Sequence, residues 1–353
     1  MKKWIEIKNT TKDLKTQKPL KVVSLFSGCG GKDLGMLGGF TIFGKYYGKN
    51  NFEIVFANDI IQHACDTYKN NFKDEILCED IHNVDASSIP ECDVVIGGFP
   101  CQDFSVAGLR KGFDNVERGQ LYLEMKRIID AKKPKFFVAE NVEGLTNLNG
   151  SETLNTIKKD FSSSGYFVEA HLFNAADYEV PQARKRVIFI GIRNDLVKDE
   201  EIPYPMQVCG EGTNRPQMTA KEALDDIWDK IDKTTIPNHT IKDYSKAKFY
   251  PGGKGQGNCR IKANKPSPTI RSEHHGNIEG HYRTLDGLID EPGSENVLRW
   301  RRLSVRECAR LQTFPDTFIF PKSASSAYKE IGNAVPVVFA WYIFRAINLY
   351  FSN

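Results

Sequence analysis

A cysteine follows a proline in GGFPCQDFS (97–105), at the end of the apolar run CDVVIGG (92–98). A strand that stops on a Phe-Pro-Cys corner leaves its thiol at an element end, and the proline removes a backbone donor and stiffens the approach. A thiol so placed becomes a nucleophilic thiolate if cations or a helix N-terminus lie near, and a packed, inert thiol if they do not. Cys101 has company of the first kind. Glu140 closes the apolar run KFFVAE (135–140), and QARKRV (182–187) carries Arg184 and Arg186 two residues apart. Extended backbone aims such a pair at one face, which leaves Lys185 on the other as solvated charge. Sulfur, acid and paired cations make a reactive corner.

A second group of residues suits a nucleotide-type ligand. LFSGCGGKDLG (25–35) joins an apolar run to a helical pattern, and Gly28, Gly30 and Gly31 permit a tight turn with close backbone approach. A Walker loop needs Ser or Thr after its lysine; here Asp33 follows Lys32, which argues against a nucleoside triphosphate. Asp59, in FANDI, suits a ribose diol because a carboxylate accepts from both hydroxyls. Asp80, in CEDIHN, suits an adenine amino group. Either acid alone reads more readily as a helix cap or a solvated turn. At successive strand ends they suggest an adenosine-containing cofactor.

Positioning these groups takes a sheet. KVVSLF (21–26), FEIVFAN (52–58), CDVVIGG, KFFVAE, YFVEAHLFN (166–174) and RVIFIGI (186–192) read as strands. Helical patterns lie between, as in RGQLYLEMKRIIDA (118–131) and SETLNTIKKDFSSS (151–164). Alternation of this kind predicts an α/β, Rossmann-like, mostly parallel sheet with helices on both faces. Ligands of such sheets bind beyond the carboxyl ends of the strands, so Phe26, Asn58, Gly97 and Glu140 are expected along one rim. The rhythm breaks near residue 195 and returns at RRLSVRECARLQTF (301–314) and AWYIFRAINLYF (340–351). The last is apolar on most faces and is expected as a buried helix docked on the first lobe.

Bulk properties set limits. The chain has 353 residues, 40% of them apolar, and a net charge of +3, so a nucleic-acid partner would need a local patch of charge. Eight cysteines show no CxxC spacing, which gives no metal site and no disulfide framework, and fits reduced thiols in the cytoplasm. The start lacks the apolar core of a secretion signal, and no run is expected to span a bilayer.

Taken together, LFSGCGG, GGFPCQDFS, ENV, QARKRV, RLSVRECARLQTFPD (302–316) and IGNAVP (331–336) resemble, in order, the motifs of a bacterial C5-cytosine DNA methyltransferase of the restriction–modification type. The resemblance covers nearly all the chain after residue 20. It implies S-adenosylmethionine as methyl donor, lined by Phe26, Gly28 and Gly30. Asp59 takes the ribose, Ile60 packs on the adenine, Asp80 meets its amino group, Ile81 is a further cofactor-binding residue, and Leu121 and Asn333 lie near the methionine end. Many relatives carry Glu where this chain has Asp59. Cys101 is implied as the nucleophile that adds to C6 of cytosine, with Glu140 at N3 and the exocyclic amine, Arg184 at O2, and Arg186 in support of the thiolate, Glu140 or the backbone. The target base must leave the duplex stack. A mobile loop from Gln102 to Arg118, hinged at Gly108 and Gly112, is implied to close on the DNA with Ser105 at a phosphate.

Lys246 to Arg271 holds seven basic residues and no acidic one. Phosphates want such charges, and base edges want Arg, Asn or Gln. With the resemblance, residues 196–300 are expected as a smaller, irregular target-recognition domain, with Arg260, Lys262 and Arg271 touching double-stranded DNA. Residues 1–195 form the catalytic and cofactor-binding domain, completed by 327–353, and 301–326 connect the two. The expectation is a monomeric protein that protects host DNA beside a partner restriction endonuclease. A transfer-RNA methyltransferase of the same fold and a DNA-binding regulator without catalysis are the alternatives.

Overall fold

The computed structural model describes residues 2–14, 18–73, 75–99, 121–146, 152–243, 259–272, 281–284 and 300–352. The strands are β1 (Lys2–Ile5), β2 (Leu20–Leu25), β3 (Phe40–Ile42), β4 (Lys45–Tyr47), β5 (Phe52–Asp59), β6 (Leu77–Cys78), β7 (Val94–Gly97), β8 (Phe136–Val142), β9 (Tyr166–Asn174), β10 (Lys185–Arg193), β11 (Ile202–Pro205), β12 (Cys259–Arg260), β13 (His281–Thr284) and β14 (Trp300–Arg302). The helices are α1 (Gly31–Leu37), α2 (Gln62–Phe72), α3 (Leu121–Lys132), α4 (Glu152–Ser162), α5 (Ala220–Leu224), α6 (Val305–Leu311), α7 (Ala324–Asn333) and α8 (Val337–Ser352).

Seven strands form the main sheet in the order β6-β5-β2-β7-β8-β10-β9. The expected α/β, Rossmann-like class is what the chain adopts. Side chains alternate across the sheet as period two requires. Val22, Ile96, Val138 and Ile190 enter one core with α1 and α8; Val23, Val95, Phe137 and Phe189 enter the other with α3 and α4. The pairings from β6 through β8 are parallel, whereas β10 runs antiparallel to both β8 and β9. The segment between β9 and β10 holds a 3-10 turn and no α-helix, so the chain returns as antiparallel strands can and parallel ones cannot. This reversal matters for the site: it puts the start of β10, where the arginines are, on the rim where β8 ends.

From β2 the chain passes to β5 on one side and later to β7 on the other, which makes the end of β2 a topological switch point. The sequence YIFRAINLYF does form a buried helix, but α8 begins earlier, at Val337. By length and apolarity alone the stretch Ala324–Phe351 is sufficient for a membrane span, contrary to the reading of the sequence. Its apolar surface is taken up by the core instead. Trp341 is fully buried and donates from Nε1 to the Gly48 carbonyl at 2.8 Å, and a Cβ on Gly35 of α1 would collide with the Val337 carbonyl. Of the pattern 301–314, residues 300–302 form β14 and the helix α6 is capped by Ser304, whose side chain accepts from the Glu307 amide.

Part of the irregular region is fastened to the first lobe. Residues 261–272 run along the entry to β10: the amide of Ala183 donates to the Ser267 carbonyl at 2.8 Å, that of Ser267 to the Pro181 carbonyl at 2.9 Å, and that of Ile270 to Gln182 Oε1 at 3.0 Å. Arg310 pairs with Asp226 and Asp316, tying α6 to the segment after α5.

Candidate active site

The glycine-rich turn forms where β2 ends. Phe26 takes a φ of 52°, which stops the strand, and Gly28 has a φ of +57°. Nothing lies within 4 Å of the point where a Cβ on Gly28 would sit, so its backbone faces open space. Gly30 behaves differently. Its φ of +93° makes the turn into α1, a Cβ there would also collide with the Phe72 ring of α2, and it lies outside the cavity lining. Asp59 holds the turn: Oδ2 accepts from the Gly28 amide at 2.7 Å and Oδ1 from the Ile61 amide at 2.9 Å. Ile60, beside it, is 63% exposed, an unusual state for a large apolar side chain on a cavity wall. Asp80 caps the turn at Ile81, with Oδ1 accepting from the His82 amide at 3.0 Å and meeting the His82 ring Nδ1 at 2.7 Å. Those two bonds, the backbone one first, hold its carboxyl below the usual range.

The other end of the site is built by β8 and β10. Register pairs Glu140 with Ile188 and Val142 with Arg186, which brings Arg186 Nε to 2.7 Å from Glu140 Oε1. Both side chains are largely buried, and Arg186 also donates from a terminal nitrogen to the Lys185 carbonyl at 2.7 Å. Arg184 has another task. It is 1% exposed and donates to the carbonyls of Ile270 and Gly332, each at 2.7 Å, and of Ala334 at 3.0 Å. It therefore pins the turn between α7 and α8, and residue 270, to the entry of β10. Its main bonds go to backbone, and Arg186 is the guanidinium beside the acid. Lys185 points outward, as its place in the alternation requires, and pairs with Glu143 at 2.9 Å.

Sequence reasoning missed three contributors. Asn141 donates from Nδ2 to the Phe99 carbonyl at 3.0 Å and so fixes the backbone that leads into the Phe-Pro-Cys corner. Its place inside ENV was the available signal. Gly98 passes so close to the acid that a Cβ would lie 3.0 Å from Glu140 Oε2. Glu330 of α7 meets His63 Nδ1 of α2 at 2.6 Å, and burial pushes its carboxyl up to about 8.

These two ends share one cavity of about 1250 Å³. Phe26, Gly28, Asp59, Ile60, Asp80 and Ile81 line it toward the glycine turn. Glu140, Arg184 and Arg186 line it toward β8, and Leu121, Asn333 and Arg271 also reach it. Arg271 is exposed at this wall, whereas Lys262 is exposed away from the lining. Only the backbone of Arg260 is described, in β12. Cys101, Ser105, Gly108, Gly112 and the rest of residues 100–120 lie outside the described residues. The lining fits an adenosine-bearing sulfonium donor: open glycine backbone, a carboxylate at the neighbouring strand end, an exposed aliphatic face for a purine, and room for a second ring at Glu140.

A sequence model of the C-5 cytosine-specific DNA methylases matches residues 20–349. The chain belongs to this family. It is 36% identical to the Type II methyltransferase M.NgoFVII of Neisseria gonorrhoeae, over 90% of this chain and 83% of that one. It is 35% identical to the Type II methyltransferase M.BsuRI of Bacillus subtilis, over 93% and 79%. Its fold is like that of the S. pombe Dnmt2 methyltransferase, with a TM-score of 0.67 and 18% identity over 95% of this chain and all of the other. The chain is thus a DNA (cytosine-5)-methyltransferase of the restriction–modification type, and the family implies S-adenosylmethionine as its methyl donor.

Proposed function

We propose that a cytosine turned out of duplex DNA is held at the β8 end of the cavity while S-adenosylmethionine lies along the glycine turn. The ion pair of Glu140 and Arg186 carries this reading. In cytosine, O2 and the exocyclic amine flank N3. An acid at N3 and the amine therefore places O2 beside whichever cation adjoins that acid, and here the neighbour is Arg186. The O2 contact expected of Arg184 is accordingly assigned to Arg186, and Arg184 is a positioning residue.

C5 of cytosine is a poor nucleophile. Cys101, as thiolate, adds to C6, and Glu140 shares or donates a proton at N3 as charge builds on the ring. Arg186 stabilises the developing charge at O2. The bound donor supplies an electrophilic methyl group for C5. The C5 proton then leaves to a base, Cys101 is expelled, and the aromatic ring is restored. Asn141 keeps the approach to Cys101 fixed by its bond to Phe99.

Asp59 holds the ribose through lone pairs beyond its two amide bonds, Ile60 and Ile81 pack on the purine, Asp80 meets the adenine amine, and Leu121 and Asn333 flank the methionine end. Gly30 supports this arrangement through α2 rather than by contact. The segment from Gln102 to Arg118 closes over the base with Ser105 at a phosphate. Residues 196–300 recognise the target, with Arg260, Lys262 and Arg271 among the contacts, and 301–326 connect that domain to the catalytic one. The protein works as a cytoplasmic monomer on a short palindromic site and protects host DNA from a partner endonuclease. The family assignment favours DNA over transfer RNA and catalysis over a regulator. Bisulfite sequencing of a plasmid from expressing cells tests activity, base and site at once: one short site should be methylated at cytosine C5. An unmodified plasmid from cells containing folded protein would count against it.

A further inference from the structure

Lys32 is a buried cation that the reaction scheme leaves without a task. It is the second residue of α1, is 7% exposed and lines the cavity. Its ammonium donates to the Leu25 carbonyl at 3.1 Å, at the very end of β2. Sheet order fixes where that is. β2 adjoins β5, which ends in Asp59, and lies two strands from β8, which carries Glu140. Strands lie about 4.8 Å apart, so Lys32 is held within the span of roughly 14 Å between the ribose end and the base end. The methyl must travel from sulfur to base inside that same span.

Resting on the proposed placement of S-adenosylmethionine, we infer that Lys32 is a fixed positive charge beside the sulfur that disfavours the sulfonium donor relative to the neutral thioether product. Methyl transfer removes one positive charge from the sulfur. A neighbouring ammonium in a site of low dielectric therefore destabilises the reactant state and is relieved as transfer proceeds. Burial pulls the ammonium down from the usual lysine range, while Asp33, Glu140 and Asp59 oppose that and favour its charged form. Lysine at this point serves no phosphate, since Asp33 follows it and the cavity's neighbouring strand ends bear carboxylates.

The test is calorimetric binding of S-adenosylmethionine and of S-adenosylhomocysteine to the wild type, Lys32→Met, Lys32→Gln and Lys32→Arg, with thermal unfolding to confirm folding. Removing the charge should tighten the sulfonium relative to the thioether by at least tenfold in both Met and Gln variants, the factor for a charge about 12 Å away at an effective dielectric of about 20, and more at shorter range. Lys32→Arg should keep the wild-type ratio. A ratio unmoved in folded Met and Gln variants overturns the inference. So does an equal weakening of both ligands, which would make Lys32 a clamp for the amino-acid carboxylate they share. A wild type that binds neither ligand overturns the cofactor placement itself, and this inference with it.

Discussion

Glu140 Oε1 and Arg186 Nε lie 2.7 Å apart at the end of two antiparallel strands, and Arg184, two residues earlier, turns instead to three backbone carbonyls. The two arginines therefore have separable roles. Arg186→Ala should lower the methylation rate by roughly two to three orders of magnitude, as loss of a donor to developing charge does, in a variant that remains folded at the assay temperature. Single-turnover kinetics on duplex DNA and a melting curve check this together.

Arg184→Ala should act on the fold. It strips the hydrogen bonds of three carbonyls at Ile270, Gly332 and Ala334 and leaves a void, at a cost of about 3 kcal/mol. Denaturant unfolding should show that loss. A folded variant of unchanged stability with only its rate reduced would return the O2 contact to Arg184.

Asp59→Ala should weaken S-adenosylmethionine binding at least tenfold, because it frees the Gly28 and Ile61 amides and lets the turn relax. DNA binding, measured separately, should change far less. Equal losses would make Asp59 a purely structural residue.

Sequence and structure agree where chemistry constrains a short stretch. The strands that carry Asp59 and Glu140 are legible from short runs rich in β-branched and aromatic residues, and the rim follows from their order. The reversal of β10 is not, because apolar periodicity carries no direction. For that reason period two placed Arg184 and Arg186 on one face but could not say which met the acid. Gly30 makes the tight turn its type suggests, with a φ of +93°, but its second reason for being glycine, the Phe72 ring, lies more than forty positions away and leaves no local signal. Lys185 was correctly outward, since alternation alone decides it.

Glu179 offers a pH test remote from the cavity. Its Oε2 accepts from Lys45 at 2.6 Å, Tyr342 at 2.7 Å and Tyr47 at 2.9 Å, and its Oε1 from Arg215 at 2.6 Å. Burial pushes its carboxyl up, but those donors outweigh burial and hold it at about 2, below the ordinary 4.5. A folded value below the unfolded one means stability present above pH 4.5 and lost as pH falls toward 2. The loss amounts to about 3 kcal/mol. Glu179→Gln should be less stable at neutral pH and should flatten the acid limb of the stability curve, which thermal unfolding across that range would record.

The most direct measurement is covalent capture on a duplex that carries 5-fluorocytosine at the target position, in the presence of S-adenosylmethionine. Fluorine cannot leave as a proton does, so after methyl transfer the Cys101–C6 bond persists. The expected result is a denaturant-resistant protein–DNA complex from the wild type and none from Cys101→Ser, although Cys101→Ser still binds the duplex. A complex of equal yield from Cys101→Ser, or none from a wild type that methylates ordinary cytosine, would contradict the mechanism.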